Sequence, residues 1–289
     1  MSMQQRRTMR AGDQPLVKWT LIGLAIITTL LMLVIPLVLI FDMAFSAGVG
    51  NYWDNLSNQY TRHAIGLTLL VAALTVPINL VFGVFLAWLV TRFEFPGRKV
   101  LITLIDIPFA VSPVVAGLLY LLLYGSNGWI GSWLTENDVQ LMFSWPGIVM
   151  VTVFVTCPFV ARELIPLMQQ QGGEEEEAGV VLGANGWQLF RRITLPNIQW
   201  ALLYGVVLTN ARAVGEFGAV SVVSGNIRGE TNTLSLHVEL LYQDYNVVGA
   251  FAAASLLAGI ALITIVVKSF VEWRQARQRA PLDELSDGR

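Results

Sequence analysis

The stretch GGEEEEAGVVLGANGWQLFRRITLP, residues 172–196, lies between two strongly apolar segments and holds most of the charge in the middle of the chain. We call it the central segment. Two glycines precede four glutamates, residues 174–177, which suit a helix N-terminus because the unpaired N–H groups there attract negative charge. Gly183 and Gly186 then interrupt the helical pattern, since glycine destabilises a helix interior. The pattern predicts two short helices separated by a bend.

The second half of the central segment connects this bend to the next apolar run. Arg191 and Arg192 are expected near the C-terminal end of the second short helix, where cations interact favourably with the helix dipole. Pro196 suits the first turn of a following helix. The central segment is therefore predicted to be a short, bent, partly apolar element joined to two longer helices.

The composition predicts a membrane protein. Of 289 residues, 55% are hydrophobic and 13% are charged, whereas soluble domains contain about 25% charged residues. One cysteine, Cys157, and two histidines, His63 and His237, provide no disulfide framework and no plausible metal cluster. Both histidines fall in predicted outside loops, where a solvated surface position is expected. A net charge of −2 argues against a nucleic-acid partner.

About six transmembrane helices are predicted in an all-α fold, because about 20 apolar residues span a bilayer. The first apolar run is too long for a signal peptide and is interpreted as an uncleaved span. A transmembrane domain at 19–272, which includes the central segment, is flanked by tails at 1–18 and 273–289. The predicted spans are 19–41, 64–91, 100–124, 145–168, 197–223 and 245–267.

The basic residues predict the orientation, because Lys and Arg near span ends stay in the cytoplasm. With both termini inside, 14 of the 18 basic residues are cytoplasmic, and so is the central segment. The 14 are Arg6, Arg7, Arg10, Lys18, Arg92, Arg98, Lys99, Arg191, Arg192, Lys268, Arg274, Arg277, Arg279 and Arg289.

Two roles are open for a cytoplasmic segment of this kind. It either lies on the membrane surface or docks against a protein partner. Helices that lie on membranes usually have Lys and Arg on their polar face, whereas this one begins with four glutamates beside an anionic leaflet. The charge therefore favours a protein partner.

Within the central segment, one set of residues resembles the EAA loop of ABC-transporter permeases, whose pattern is E-A-A, three residues, G, nine residues, I, one residue, L-P. The single departure is glycine for the second alanine, which keeps the site small. Three further strings, at 106–117, 154–166 and 210–225, resemble sulfate/thiosulfate importer permeases of the CysW type. The resemblance covers about 67–268. The matching loop residues are Glu177, Ala178, Gly179, Gly183, Ile193, Leu195 and Pro196.

The resemblance implies the type I ABC importer permease fold in a bacterial inner membrane, with the central segment as a coupling helix seated in a groove of an ATPase. It further implies a second related permease, two copies of a cytoplasmic ATP-binding subunit, and a periplasmic protein that delivers sulfate or thiosulfate. Independently, the chain contains no G-x-x-x-x-G-K-[ST] motif. It is therefore expected to bind no cofactor and to use ATP only through its partner.

Charged residues inside the predicted spans are candidates for a substrate path. Arg212 and Glu216 are four residues apart and share a helical face. Arg212 either lines the path of a dianion or pairs with Glu216 as a structural lock, and both hypotheses stay open. Gly215 and Gly218 are candidates for close backbone approach to an anion.

Asp106 is expected to form a structural hydrogen bond, and Arg162 with Glu163 to position the central segment. Other functions remain as alternatives. Molybdate or another oxyanion is an alternative cargo. An ion-coupled carrier with a proton relay of Asp106, Glu216 and Arg212 is a less favoured function, because such a carrier has no use for the central segment. No catalytic constellation of His, Cys or Ser is apparent, so the chain is not expected to be an enzyme.

Overall fold

A computed structural model describes residues 15–287, and the side-chain surroundings of residues 17–274. The basic residues Arg6, Arg7 and Arg10, Arg289, and most of the predicted N-terminal tail lie outside the described residues. Within 15–287 the regular structure is entirely helical, as predicted. The helices are α1 (Pro15–Thr29), α2 (Ile35–Phe45), α3 (Gly48–Ser57), α4 (Gln59–Arg92), α5 (Arg98–Ile105), α6 (Ile107–Ala110), α7 (Pro113–Tyr124), α8 (Gly131–Glu136), α9 (Trp145–Thr156), α10 (Pro158–Gln171), α11 (Glu174–Val181), α12 (Gly186–Leu189), α13 (Leu195–Val214), α14 (Gly218–Val223), α15 (Leu234–Gln243) and α16 (Val247–Asp287), with π-helical turns at Leu30–Val34 and Phe190–Thr194.

Four stretches of the described chain are long and apolar enough to cross a membrane, or five if one bent pair counts as a single span. The four are Val17–Phe45, Gln59–Arg92, Trp145–Gln171 and Val247–Arg274. α13 occupies most of the predicted fifth span, but Asn, Gln and Arg side chains interrupt its apolar sequence. The helical membrane fold is confirmed, and the spans differ in apolar character more than the sequence pattern suggested.

Two predicted spans are broken rather than continuous. Arg98–Ala110 and Pro113–Tyr124 meet at an angle of 106°. Ser112, which precedes Pro113, has ψ 136, the extended conformation that a following proline imposes. The second break follows α13, which ends at Val214, so the predicted continuous helix at 197–223 is wrong beyond that residue.

Glycines bring α4, α10 and α13 into close contact. A Cβ atom at Gly83 of α4 would lie 2.6 Å from the Val160 Cβ of α10, and one at Gly205 of α13 would lie 3.2 Å from the Val160 Cα. Small residues permit such approach between membrane helices. Towards the ends of these helices that lie beside the central segment, Leu164 and Ile198 continue the buried contact. This three-helix unit supports the central segment.

A second packed group joins α7, α9 and α14. Ile148 and Val155 of α9 are buried together with Val220 and Val223 of α14. A Cβ at Gly117 of α7 would lie 2.6 Å from the carbonyl oxygen of Ala219. α7, the second helix of the bent pair, is therefore held against the bundle by close packing on the backbone of α14.

His237, in α15, is not the solvated surface residue that the sequence pattern predicts. His237 is 3% exposed, and its Nε2 lies 3.0 Å from the Thr61 Oγ1 of α4, so it is a core residue and not a solvated one. α15 is outside the membrane-spanning stretches. Burial, and secondly the charge of Arg228, lower the pKa of His237 from 6.5 to about 4. His63 is partly buried.

This burial predicts a pH dependence of stability. Because the folded pKa of His237 lies below its ordinary value, the unfolded chain binds the proton more tightly, and stability is lost as the pH falls from about 6.5 towards 4. We expect the free energy of unfolding to fall by about 2 kcal/mol between pH 7 and pH 5. His237→Gln should remove most of this loss, measured by thermal unfolding in detergent. An identical loss in both proteins would contradict the assignment.

Candidate functional site

The central segment forms two short helices with a bend, as predicted. α11 begins at Glu174, and its N-terminal turn contains all four glutamates. Gly183 has a φ of +84, in the left-handed region that favours glycine, and produces the bend. Asn185 then caps α12, with its side chain bonded to the backbone of Gln188 and the Gln188 side chain bonded back to the Asn185 N–H.

The second short helix does not end at Arg191 and Arg192, which corrects the predicted end of that helix. α12 continues through the π turn Phe190–Thr194 directly into α13. Pro196 lies in the first turn of α13, as expected. The π turn accommodates the join without a break in the helix. α12 and α13 are therefore joined by a continuous helical backbone.

An ion pair fixes the first short helix to the bundle. Arg92, at the C-terminal end of α4, lies 2.6 Å from Glu176 through its Nε atom, and both side chains are about 85% buried (15% and 16% exposed). Thr194 donates a hydrogen bond of 2.7 Å to the other oxygen of Glu176. Arg92 also donates to the carbonyl oxygen of Met168 in α10, at 3.2 Å. One carboxylate thus joins α11 to α4 and to the π turn that leads into α13, and Arg92 extends the contact to α10.

A second contact lies beside this pair. The Asn197 side chain in α13 donates to Glu175 at 2.5 Å. Gln171, at the end of α10, donates to the backbone carbonyl of Asn197 at 3.1 Å. The central segment therefore meets the ends of three long helices and is held as part of the bundle. A flexible loop would not have these contacts.

The packing of Gly179 explains the departure from the E-A-A pattern. Gly179 is buried, and a Cβ there would lie 2.6 Å from the Leu189 Cδ2 and 2.9 Å from the Ile193 Cδ1. An alanine would therefore require these side-chain ends to move. Glycine lets α11 lie directly against the helix formed by α12 and the π turn.

The outer surface of the bend is apolar and exposed. Val181 is 86% exposed, Leu182 87%, and Trp187 68%. Gly183 lies at the same end, with open space where a Cβ would be. Apolar side chains grouped on the surface indicate an interaction site. We call this group, with Val180, the exposed tip.

The matched loop residues divide into two sets in the structure. Glu177, Ala178 and Gly183 are exposed near the bend and are free to meet another protein. The others belong to the inner side or the helix join: Gly179 is buried, Ile193 and Leu195 are partly buried, and Pro196 is exposed at the start of α13. Their coupling role stays a prediction.

Sequence reasoning missed Arg92, Glu176 and Thr194. Glu176 is one of four consecutive glutamates, and nothing local distinguishes it from its neighbours. The sequence identifies Arg92 only as a basic residue near a span end. The three residues meet because the end of α4 and the start of α13 both lie beside α11. A spacing pattern within one segment does not contain that information.

The ion pair predicts an uncoupled variant. Glu176→Gln should weaken the attachment of α11 to α4 because the charge that pairs with Arg92 is lost. If the central segment couples to an ATPase, as the resemblance implies, uptake should fall about tenfold, which corresponds to about 1.4 kcal/mol, while ATP hydrolysis by the assembled complex persists. Glu174→Gln, at an exposed position of the same helix, is the matched control and should transport normally. Equal behaviour of the two variants would contradict the role of the pair.

The candidate path residues Arg212 and Glu216 form an ion pair at the end of α13. Arg212 lies 2.5 Å from Glu216, whose side chain is 1% exposed against 32% for Arg212. The other oxygen of Glu216 accepts the backbone N–H of Ala219 at 2.9 Å. The pair does not share a continuous helix as predicted, since Glu216 follows the end of α13 and connects it to α14. The arrangement favours the structural hypothesis.

The two candidate glycines lie at this same break. Gly215 follows the last residue of α13, and its N–H closes the helix end. Gly218 begins α14, and a Cβ there would lie 3.2 Å from Pro113 and 3.3 Å from Val114 of α7. Gly218 is thus packed against a neighbouring helix. Backbone approach of an anion to these glycines stays a prediction.

Arg162 contacts Asp106 and not the central segment. Its Nε lies 3.1 Å from the Asp106 Oδ1, and its guanidinium carbon lies 4.7 Å from the centre of the Phe109 ring. The expected role of Arg162 in positioning the central segment therefore has no contact to support it. The structure gives Asp106 an ion pair at the junction of α5 and α6.

Comparisons with known proteins agree with this geometry. Residues 79–280 match the family described as binding-protein-dependent transport system inner membrane component. The chain is 62% identical to the sulfate transport system permease protein CysW of Escherichia coli (strain K12), over 90% of each chain. It is 35% identical to the sulfate transport system permease protein CysT of the same organism, over 89% of this chain and 93% of that one.

A solved structure shows the same fold. A chain of a bacterial ABC transporter involved in the import of the acidic polysaccharide alginate superposes with a TM-score of 0.75, at 18% identity, over 92% of this chain and 97% of that one. The fold is that of a type I ABC importer permease, a multi-pass membrane subunit. The chain therefore belongs to the family of binding-protein-dependent transport system inner membrane components, as an ABC importer permease of the CysW type.

Proposed function

We propose that this chain is one of two permease subunits of an ATP-driven importer of sulfate or thiosulfate. The observation that supports this most is the 62% identity to a sulfate permease over 90% of both chains. The more distant likeness to a CysT permease supports a second, related permease as its partner. The complete importer would contain two ATP-binding subunits and a periplasmic binding protein that delivers the anion.

The exposed tip is the proposed contact with the ATP-binding subunit. Leu182 and Val181 place apolar atoms at the end of a helix pair, and a groove of matching shape would remove them from water. Burial of these apolar side chains provides affinity for the ATP-binding subunit. The ion pair of Glu176 with Arg92 holds α11 rigidly against α4. Closure of the ATP-binding subunits would then move α4, α10 and α13 together and switch the translocation path between an outward-facing and an inward-facing state.

This proposal requires both termini and the exposed tip to be cytoplasmic. The Lys and Arg distribution supports that orientation. Leu182→Cys, in a Cys157→Ala background and without the ATP-binding subunit, should react with a membrane-impermeant maleimide in inside-out vesicles and not in intact cells. It should also crosslink to the ATP-binding subunit. Labelling in intact cells would overturn the orientation.

Reconstitution tests the cargo. The permease pair, the ATP-binding subunits and the binding protein are placed in vesicles, and the binding protein is loaded with sulfate, thiosulfate or molybdate. We expect sulfate and thiosulfate to stimulate ATP hydrolysis and uptake more than molybdate does. Stimulation by molybdate alone would assign another oxyanion. Uptake without ATP that follows a proton gradient would support the ion-coupled carrier.

A further inference from the structure

A half-exposed ion pair lies within the predicted spans, in their cytoplasmic half in the proposed orientation. Arg162 of α10 and Asp106 between α5 and α6 form an ion pair, with side chains 54% and 44% exposed. At 1.5 Å per residue, Arg162 lies roughly 14 Å before the end of α10 at Gln171 and Asp106 roughly 12 Å after the start of α5 at Arg98. Both helix ends face the cytoplasm in the proposed orientation, so the two charges lie at a similar depth.

Lipid does not explain this exposure. Charged side chains at membrane depth face a bundle interior or a water-filled cavity, because hydrocarbon does not solvate them. The surface formed by Arg162 and Asp106 must therefore be covered by water or by protein in the assembled complex. Arg212 differs, since its partner Glu216 is almost fully buried within this chain.

The broken helix next to the pair favours a water-filled path. α6 and α7 are separated by two residues of extended backbone, Val111 with φ −92, ψ 132 and Ser112 with φ −58, ψ 136, and Ser112 is exposed. Irregular backbone at membrane depth occurs where it is buried in protein or lines an aqueous cavity. Discontinuous helices also mark substrate sites in transporters. Asp106 and the break lie on the same bent element, and Arg162 contacts Asp106 from α10.

We propose that Arg162 lines the translocation path and offsets the charge of the dianion as it crosses, with Asp106 as its resting partner. The guanidinium has five N–H donors, and sulfate oxygens accept hydrogen bonds from them. Asp106 competes with the anion for Arg162, so Arg162 does not bind the anion too tightly. This matters because a transported ion must bind firmly enough to enter the path and weakly enough to leave it. Stacking on Phe109 keeps the guanidinium in place.

This inference rests on the proposed function and names a residue for it. The alternative is that the ion pair only holds the bent helix pair against α10. The two roles predict different effects of replacing Arg162 and Asp106. A brace needs both residues equally, whereas a path for an anion needs mainly the cation.

The experiment measures sulfate uptake per assembled complex in the reconstituted vesicles, with ATP hydrolysis as a second readout. We expect Arg162→Gln to lower uptake at least tenfold while hydrolysis stimulated by the loaded binding protein persists. Arg162→Lys should recover part of the uptake because it keeps a cation. Asp106→Asn should lower uptake less than threefold. Arg98→Gln, at the start of α5, is the control and should transport normally.

The double variant Asp106→Asn with Arg162→Gln protects the test against misfolding. It replaces the ion pair by two amides that can bond to each other, so a brace would be restored and uptake with it. We expect the double variant to assemble and to remain at least tenfold slower. Recovery of uptake, or equal losses in Asp106→Asn and Arg162→Gln, would overturn the inference. If the wild-type complex imports no sulfate, the proposed cargo fails instead.

Discussion

Gly183→Asp is expected to abolish uptake while the permease remains inserted in the membrane. Gly183 has a φ of +84 and open space at its Cβ position, and aspartate tolerates the left-handed region better than most residues do. The fold should therefore survive. The new carboxylate would lie beside the apolar Leu182 and would lose its water on docking, which is unfavourable without a partner. A loss of about 100-fold corresponds to about 2.7 kcal/mol of docking free energy.

Gly183→Asn separates charge from shape. Asparagine has nearly the same size as aspartate and a similar tolerance of positive φ, but it has no charge. We expect it to keep at least a tenth of the wild-type uptake. The measurements are uptake, the amount of permease in the membrane, and co-purification of the ATP-binding subunit. Wild-type uptake in Gly183→Asp would exclude this surface as the docking site.

Arg212→Gln is expected to reduce uptake and the amount of assembled complex to the same extent. Removing the guanidinium leaves the Glu216 carboxylate buried without its counter-charge, and breaking a buried pair in this way costs about 3 to 5 kcal/mol. Glu216 also bonds to the Ala219 N–H, so the connection between α13 and α14 should loosen. We measure the complex by size-exclusion chromatography and uptake in the same preparation.

The double variant Arg212→Gln with Glu216→Gln is the matched control. Because it removes both charges, no buried carboxylate is left unpaired, and most of the stability should return. If Arg212→Gln assembles normally and only transport is lost, Arg212 is a path residue and the structural hypothesis is wrong. In that case both Arg162 and Arg212 would line the translocation path, at different depths.

Much of the architecture follows from local sequence. Long apolar runs predict membrane helices wherever they occur, because the bilayer has a fixed thickness. Gly183 and the four glutamates predict the bend and the start of α11, since glycine and acidic residues act on the helix in which they lie. The spacing that ends at Pro196 also locates the central segment without any tertiary knowledge.

The tertiary structure was needed wherever two distant parts of the chain meet. Glu176 is distinguished from its neighbours only by Arg92 and Thr194, which come from other helices. His237 is buried because Thr61 lies against it.

The charged residues show the same division. The sequence by itself determined that Arg162 and Arg212 lie within predicted spans, because composition and run length are local properties. Only the folded chain decided that Glu216 buries the charge of Arg212 whereas Asp106 leaves Arg162 half exposed. Ion pairing and exposure depend on distances through space, and those distances are set by how the helices break and pack.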